Sequence, residues 1–324
     1  MTLPRRRHLV AAPVLAAATA LLASGCAATT ADADAAPGSA ADDAPAEVTV
    51  THAQGETTVP ADPQTVLTFD LAALDTLDTL GVEVAGLPKQ NLPGDFERFA
   101  TDEILDIGTL FEPDYEAVNA AQPDLIIVGG RSAAALPELE KIAPTIDLST
   151  RADDYLGSIT ENARTLGEVF GEEERVEELL AELDASVVEL KETAADAGDG
   201  LIVLTSGGEV TAYGPGSRFG WLHDAFGVVP AREDIAVSSH GEAVSFEYVR
   251  ESNPDWLFVV DRDAAIGENG AAAEQVLDNE LVAQTTAWST DQVVYVDPVN
   301  WYLAGGGLGT TQEVVDEIAA ALAR

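Results

Sequence analysis

Two arginines stand at matching places in a pattern that the chain uses twice. Residues 113–131 read PDYEAVNAAQPDLIIVGGR and residues 244–262 read VSFEYVRESNPDWLFVVDR. Laid together without a gap, the copies share Glu116/Glu247, Val118/Val249, Pro123/Pro254, Asp124/Asp255, Val128/Val259 and Arg131/Arg262. Each copy is a short helical pattern, a Pro-Asp turn and an apolar run of the kind that makes a buried parallel strand. Each ends in an arginine at the strand's carboxyl end, where open α/β sheets place their ligands. The chemistry on offer is capture of an anion between two related lobes. Chance recurrence of a helix–Pro-Asp–strand unit is the plainer reading; repetition of both glutamate and arginine at one spacing argues against it. Further polar residues punctuate the loops of the second half: Arg218 in GSRFG, His240 in SSHGE and Tyr302 in NWYLAGGG. Singly these are unremarked types, since a loop histidine is usually solvated and a loop tyrosine usually packs.

The elements that must position these residues follow from periodicity. Residues 47–60 alternate around a glycine-containing turn and read as a hairpin. Residues 65–70 read as a buried strand, 71–82 as an amphipathic helix, and 82–87 as the next strand. After the first copy of the repeat come a helix at 134–142 and a strand at 145–149. Such β/α alternation with short loops predicts a parallel sheet in a Rossmann-like lobe. Residues 155–170 form a helix, and 172–197 a longer one. Its apolar residues Val176, Leu179, Leu180, Leu183, Val187, Leu190 and Ala194 share one face. Glu172, Glu173 and Glu174 suit its positive end and Gly198 stops it. At about 1.5 Å per residue it spans roughly 35–40 Å, a rigid strut between the two copies. The second lobe reads as a strand at 201–207, a broken loop running into a helix at 212–227, and a polar loop at 238–244. The second copy is followed by a helix at 271–283, a strand at 292–298, a loop at 300–311 and a closing helix. The expected fold class is α/β, two Rossmann-like lobes joined by one long α-helix. The expected divisions are 47–171, 172–197 and 198–324.

The amino terminus reads differently. Arg5, Arg6 and Arg7 precede a short apolar run from Leu9 to Leu22, too short and alanine-rich for a stable transmembrane helix, so residues 1–26 read as an export signal. Ala23, Ser24 and Gly25 lead into Cys26, the chain's one cysteine, in the manner of a lipoprotein signal, although Ala23 replaces the usual aliphatic residue. A diacylated Cys26 would tether the protein to the outer face of the cell membrane. Residues 27–46 hold almost no large apolar side chain and read as a flexible spacer. The chain carries 57 acidic residues against 16 basic ones, a formal charge of −41, with Lys89, Lys141 and Lys191 as its lysines. That balance argues against nucleic acid and against adhesion to anionic lipid beyond the anchor. In so negative a field, arginines at strand ends call for an anionic partner.

The run YGPGSRFGWLHDAFG, then SHGEAVSFEYVRESNPDWLFVVDRDAAIG, then LDNELV and DPVNWYLAGGG resembles the cluster III substrate-binding lipoproteins of iron–siderophore ABC importers. The likeness is to the subgroup that binds ferric catecholates, and it extends from about residue 47 to the end. It implies the class III substrate-binding protein fold and a transported Fe(III)–siderophore ligand with no intrinsic cofactor. It implies that His240 and Tyr302 complete the iron coordination sphere when the siderophore supplies four donors. It further implies that Arg131, Arg218 and Arg262 neutralise the catecholates, and that Glu116 and Glu247 dock the two lobes on an ABC permease. A monomeric, non-enzymatic binding protein is expected. Asn300 stands where some relatives carry an aromatic, which leaves the fine choice of ligand open. The chemistry is consistent with the resemblance. Fe(III) is a hard ion that favours anionic oxygen and accepts imidazole, and the arginine fork pairs with adjacent anionic oxygens while keeping its charge.

Other readings remain at this point. Haem could take Tyr302 as an axial ligand, but three arginines exceed what two propionates need. Cobalamin or a neutral hydroxamate complex gives the arginines no anion. An exported hydrolase could use His240 with a carboxylate, but no G-x-S-x-G, H-E-x-x-H or Walker motif is present.

Overall fold

The computed structural model describes residues 46–324 apart from Asn91 and Asn269. The expected signal segment with Cys26, and the expected spacer up to residue 45, lie outside the described residues. The chain enters the fold through the expected hairpin, β1 (Glu47–His52) and β2 (Gly55–Pro60), paired antiparallel from Glu47↔Pro60 to His52↔Gly55.

The first lobe is built on β3 (Val66–Thr68), β4 (Gly86–Leu87), β5 (Leu105–Asp106), β6 (Leu125–Val128) and β7 (Thr145–Asp147). All are parallel, in the order β5-β4-β3-β6-β7. From β3 the chain fills one side of the sheet and then returns to fill the other. The crevice beyond the carboxyl ends of β3 and β6 is therefore a topological switch point. The helices are α1 (Leu71–Thr79), α2 (Tyr115–Ala121), α3 (Leu136–Leu139) and α4 (Tyr155–Phe170).

The connection is one helix, α5 (Glu173–Ala195), about 35 Å long at the usual rise. It buries Val176, Leu180, Leu183, Val187, Leu190 and Ala194, the face that the spacing predicts. The second lobe contains β8 (Asp199–Ser206), β9 (Glu209–Tyr213), β10 (Val229–Pro230), β11 (Glu242–Val244), β12 (Trp256–Asp261) and β13 (Val293–Tyr295). Its order is β11-β9-β8-β12-β13, with β10 beside the start of β8. The helices are α6 (Trp221–Asp224), α7 (Phe246–Ser252), α8 (Arg262–Ala265), α9 (Ala273–Leu277), α10 (Thr286–Ser289), α11 (Pro298–Tyr302) and α12 (Leu308–Leu322). The closing helix α12 does not stay with its own sheet; it packs on α5 and on α1 of the first lobe.

The sequence repeat is a structural repeat down to single hydrogen bonds. Asp114 and Ser245 cap α2 and α7 with their side chains. Gln122 and Asn253 both end those helices in the left-handed conformation (φ 50° and 45°). Asp124 then accepts the N–H groups of Gln64 and Thr65 at the start of β3, and Asp255 accepts that of Asp199 at the start of β8. In both copies the Pro-Asp carboxylate thus fastens the strand to the first strand of its lobe.

Four local readings change. Strand β9 is not evident from alternation. It follows from Gly207-Gly208, both at positive φ (58° and 84°), a two-residue turn of the kind that closes a hairpin. The second sheet is consequently mixed, with β9 antiparallel to β8 and β11. The helix expected over 134–142 is a 3₁₀ turn, Ala133–Ala135, running into the four residues of α3. The helix expected over 271–283 breaks after α9, where Asn279 turns its side chain back onto the N–H of Leu281. The loop expected over 300–311 instead holds the end of α11 and the start of α12. Asp297 caps α11 and Pro298 occupies its first turn, a start signal that the sequence does contain. Among the described residues no helix is long and apolar enough to cross a membrane.

Candidate binding cleft

A cavity of about 590 Å³ opens at the switch point of the first lobe, and residues of both lobes line it. Its first-lobe wall is made by the turns that follow β3 and β6. Asp70 ends the first turn and caps α1, its Oδ1 accepting the N–H groups of Ala72 (2.7 Å) and Ala73 (3.0 Å). Burial raises its carboxyl pKa, against the pull of those two bonds and of Arg131. The β6 turn runs through Gly129, where a Cβ would lie 2.0 Å from Asp70 Oδ2, so only glycine lets the two turns meet. Arg131 follows, three residues past the end of the strand.

The second-lobe wall brings together residues distant in sequence. Arg218 precedes α6, and Arg262 opens α8 directly after β12. Tyr302 is the last residue of α11 and is the point on which the arginines converge. Arg131 Nη2 and Arg218 Nη2 both donate to the main-chain carbonyl of Tyr302, each at 2.6 Å. Arg262 Nε donates to its phenol oxygen at 3.2 Å. The guanidinium carbons stand 5.1, 4.3 and 5.9 Å from the centre of the Tyr302 ring for Arg131, Arg218 and Arg262. A helix-terminal carbonyl lacks an intrahelical donor and carries the negative end of the helix dipole. That partial negative charge is what the two guanidinium groups share.

These charges set the titration of the cleft. Burial alone would raise the Tyr302 phenol, but the bond from Arg262 and the charges of Arg218 and Arg131 outweigh it and hold the phenol below its ordinary value. Burial, and then the neighbouring Arg218, lowers the pKa of Arg131. Three partly desolvated cations with few carboxylates nearby favour an incoming anion. Arg262 is the exception, bonding Ser206 Oγ (3.2 Å) and standing 3.5 Å from Asp263.

His240 lines the same cavity from an exposed turn. Its carbonyl accepts from Tyr213 Oη (3.2 Å) and its N–H donates to Ser238 Oγ (3.1 Å). Gly241 follows at φ +69°, packed so closely on β9 that a Cβ would strike Tyr213. The floor is an aromatic stack, Tyr155 on Trp221 (4.8 Å between centroids) and Trp221 on Trp301 (4.1 Å). Tyr155 belongs to α4, so the stack runs from one lobe to the other.

The structure thus gathers Arg131, Arg218, His240 and Tyr302 around one cavity; Arg262, expected with them, does not line it and reaches the site only through the phenol of Tyr302. Glu116 and Glu247 are elsewhere, exposed in the first turns of α2 and α7, each preceded by an aromatic residue, Tyr115 or Phe246. Asn300 faces away from the cavity and donates to Glu313 Oε2 on α12 (2.7 Å), so it does not touch what the cleft holds. Sequence reasoning missed Asp70 and the Tyr155–Trp221–Trp301 stack. The strand–Asp–helix junction at the switch point was a signal for the first; the stack had none. Among the described residues no three His, Cys, Asp or Glu side chains form a group able to hold a metal.

The periplasmic binding protein family matches residues 66–299. The chain belongs to that family. It is 42% identical to the petrobactin-binding protein YclQ of Bacillus subtilis over 277 residues, 84% of this chain and 87% of the relative. The crystal structure of YclQ superposes with a TM-score of 0.84 at 41% identity, covering 86% of this chain and 99% of that one. The periplasmic catecholate-siderophore binding protein VctP of Vibrio cholerae gives a TM-score of 0.81 at 36% identity, covering 85% and 100%. The two α/β lobes and joining helix are the fold of class III members of this family.

Proposed function

We propose that this periplasmic binding protein captures a ferric catecholate-type siderophore between its lobes and delivers it to an ABC permease for iron uptake. The observation that carries the reading is the convergence of Arg131, Arg218 and Arg262, from both lobes, on Tyr302. A ferric catecholate complex is anionic, because catecholate charge exceeds that of the metal. It would take over the guanidinium donors that Tyr302's carbonyl now occupies. With a four-donor siderophore, Tyr302 oxygen and His240 nitrogen fill the two remaining positions on the iron. The lowered phenol pKa supports this role, since a phenol near three cations gives up its proton to iron more readily. No step changes a covalent bond, and the protein acts as a carrier rather than an enzyme.

Delivery requires a recognisable outer surface. Glu116 and Glu247 occupy equivalent exposed positions on the two lobes, which supports their use as a matched pair against basic residues of a permease. Lipidation of Cys26, with residues 27–46 as spacer, would keep the carrier beside that permease at the outer face of the membrane. It acts as a monomer in this reading.

The deciding experiment titrates the purified protein with ferric complexes of tetradentate and hexadentate catecholates. Quenching of tryptophan fluorescence reports binding, because Trp221 and Trp301 line the cavity. Tight binding of the tetradentate complex is expected, with a ligand-to-metal charge-transfer band that changes in Tyr302→Phe and an affinity at least tenfold weaker. Binding of the hexadentate complex alone would keep the carrier and remove His240 and Tyr302 from the iron. Binding of neither would overturn the reading.

A further inference from the structure

Tyr302 ends a helix of five residues, far too short to hold its own position in water. What holds α11 is the side of it that faces away from the cleft. Glu317 of α12 spans its length: one oxygen, Oε1, accepts the N–H of Asp297 at the start of α11 (2.8 Å). The other, Oε2, accepts the indole Nε1 of Trp301 near its end (3.0 Å). Glu317 does not line the cleft, whereas Trp301 and Tyr302 do. The helix that carries Glu317 is in turn fastened to the first lobe. Thr310 N donates to Asp75 Oδ2 (3.0 Å) and Leu308 N to Thr76 Oγ1 (3.0 Å), both acceptors lying on α1. The carbonyl and phenol of Tyr302 are therefore registered through α12 against the same lobe that supplies Arg131.

We propose that Glu317 is a positioning residue for ligand capture, holding α11 by both ends so that Tyr302 meets Arg131, Arg218 and Arg262 in one place. The inference rests on the carrier reading for its ligand but on hydrogen-bond geometry for its substance. A carboxylate is the side chain this task needs. It offers two acceptor oxygens to two donors, while a glutamine offers one acceptor and presents its amide donor to a second donor. Half-buried Glu317 keeps that role despite a carboxyl raised by burial, opposed by the bonds from Trp301 and Asp297.

The test uses the full chain carrying Glu317→Gln, with Asp316→Asn on the same helix as a control for lost charge. In the empty protein, ultraviolet titration identifies the Tyr302 phenol as the signal missing in Tyr302→Phe. In Glu317→Gln that phenol is expected to titrate closer to its ordinary value as it leaves Arg262, and in Asp316→Asn to stay put. With ligand, Glu317→Gln should weaken the ferric tetradentate catecholate roughly tenfold, one hydrogen bond's worth, and change its charge-transfer band. Binding of the hexadentate complex should change less than twofold. An unmoved phenol in Glu317→Gln, or equal losses for both complexes, would each overturn the proposal. If the wild-type protein bound neither complex, the carrier reading would fail while the phenol titration still decided whether Glu317 positions Tyr302.

Discussion

At the scale of single residues, the molecule gathers three of its few cations around Tyr302 and places its unusual carboxylates where they hold helices. Ten arginines lie beyond residue 26, and three of them meet at Tyr302. Asp75, Asp70 and Glu317 are all carboxylates whose burial raises their pKa, and each accepts backbone N–H groups at a helix start. Asp75 is raised to about 6, chiefly by burial, with the bonds from Thr310 and Gly309 opposing. The folded protein therefore binds a proton there more tightly than the unfolded chain does. Its contribution to stability is full below about pH 4 and is lost as pH rises through about 6. Unfolding free energies from denaturant titration at pH 4.5 and 7.5 should differ less in Asp75→Asn than in the wild type, by on the order of 2 kcal/mol. An unchanged pH dependence in the variant would show that Asp75 is not held in this way. Docking also belongs to this scale. Reversing the charge at both Glu116 and Glu247 should abolish uptake and leave ligand affinity unchanged, and surviving uptake would refute their assignment.

At the scale of elements, three helices decide how the lobes stand. Helix α5 links them, and α4 and α12 pack along it. Helix α12 reaches back to α1, so the connection is braced by a second crossing and not by one strut alone. Together with the Tyr155–Trp221–Trp301 stack across the cleft floor, this leaves no free hinge of the kind that allows wide domain closure. Solution scattering with and without ferric ligand should give the same radius of gyration within error, and a contraction of several ångströms would contradict it. The strut itself was legible: Val176, Leu180, Leu183, Val187, Leu190 and Ala194 fall on one face because 3.6-residue periodicity requires only local sequence. The brace was not. That α12 docks on α1 depends on Asp75 and Thr76 receiving its first N–H groups, and nothing near residue 308 announces a partner more than 230 positions away.

At the scale of the whole molecule, charge is the dominant property. A formal charge of −41 places exposed carboxylates within a screening length of one another, and the surface ion pairs are too exposed to offset this. Raising sodium chloride from 0.05 to 1 M should therefore raise the unfolding temperature, and a fall would mean that ion pairs outweigh self-repulsion. Composition, the repeated helix–Pro-Asp–strand unit and the long amphipathic helix determined the two-lobed α/β architecture, because each is written in residues near one another along the chain. Arg131, Arg218, Arg262, His240 and Tyr302 were likewise legible as candidates by type, although Arg262 and Tyr302 lie in short helices and not in loops. Only the tertiary structure decided that three arginines close on one carbonyl and one phenol oxygen, that Asn300 looks away from the cleft, and that Glu317 holds Tyr302 from behind. Those relations join residues separated by up to 171 positions, and the packing of α12 across both lobes is what brings them within hydrogen-bond distance.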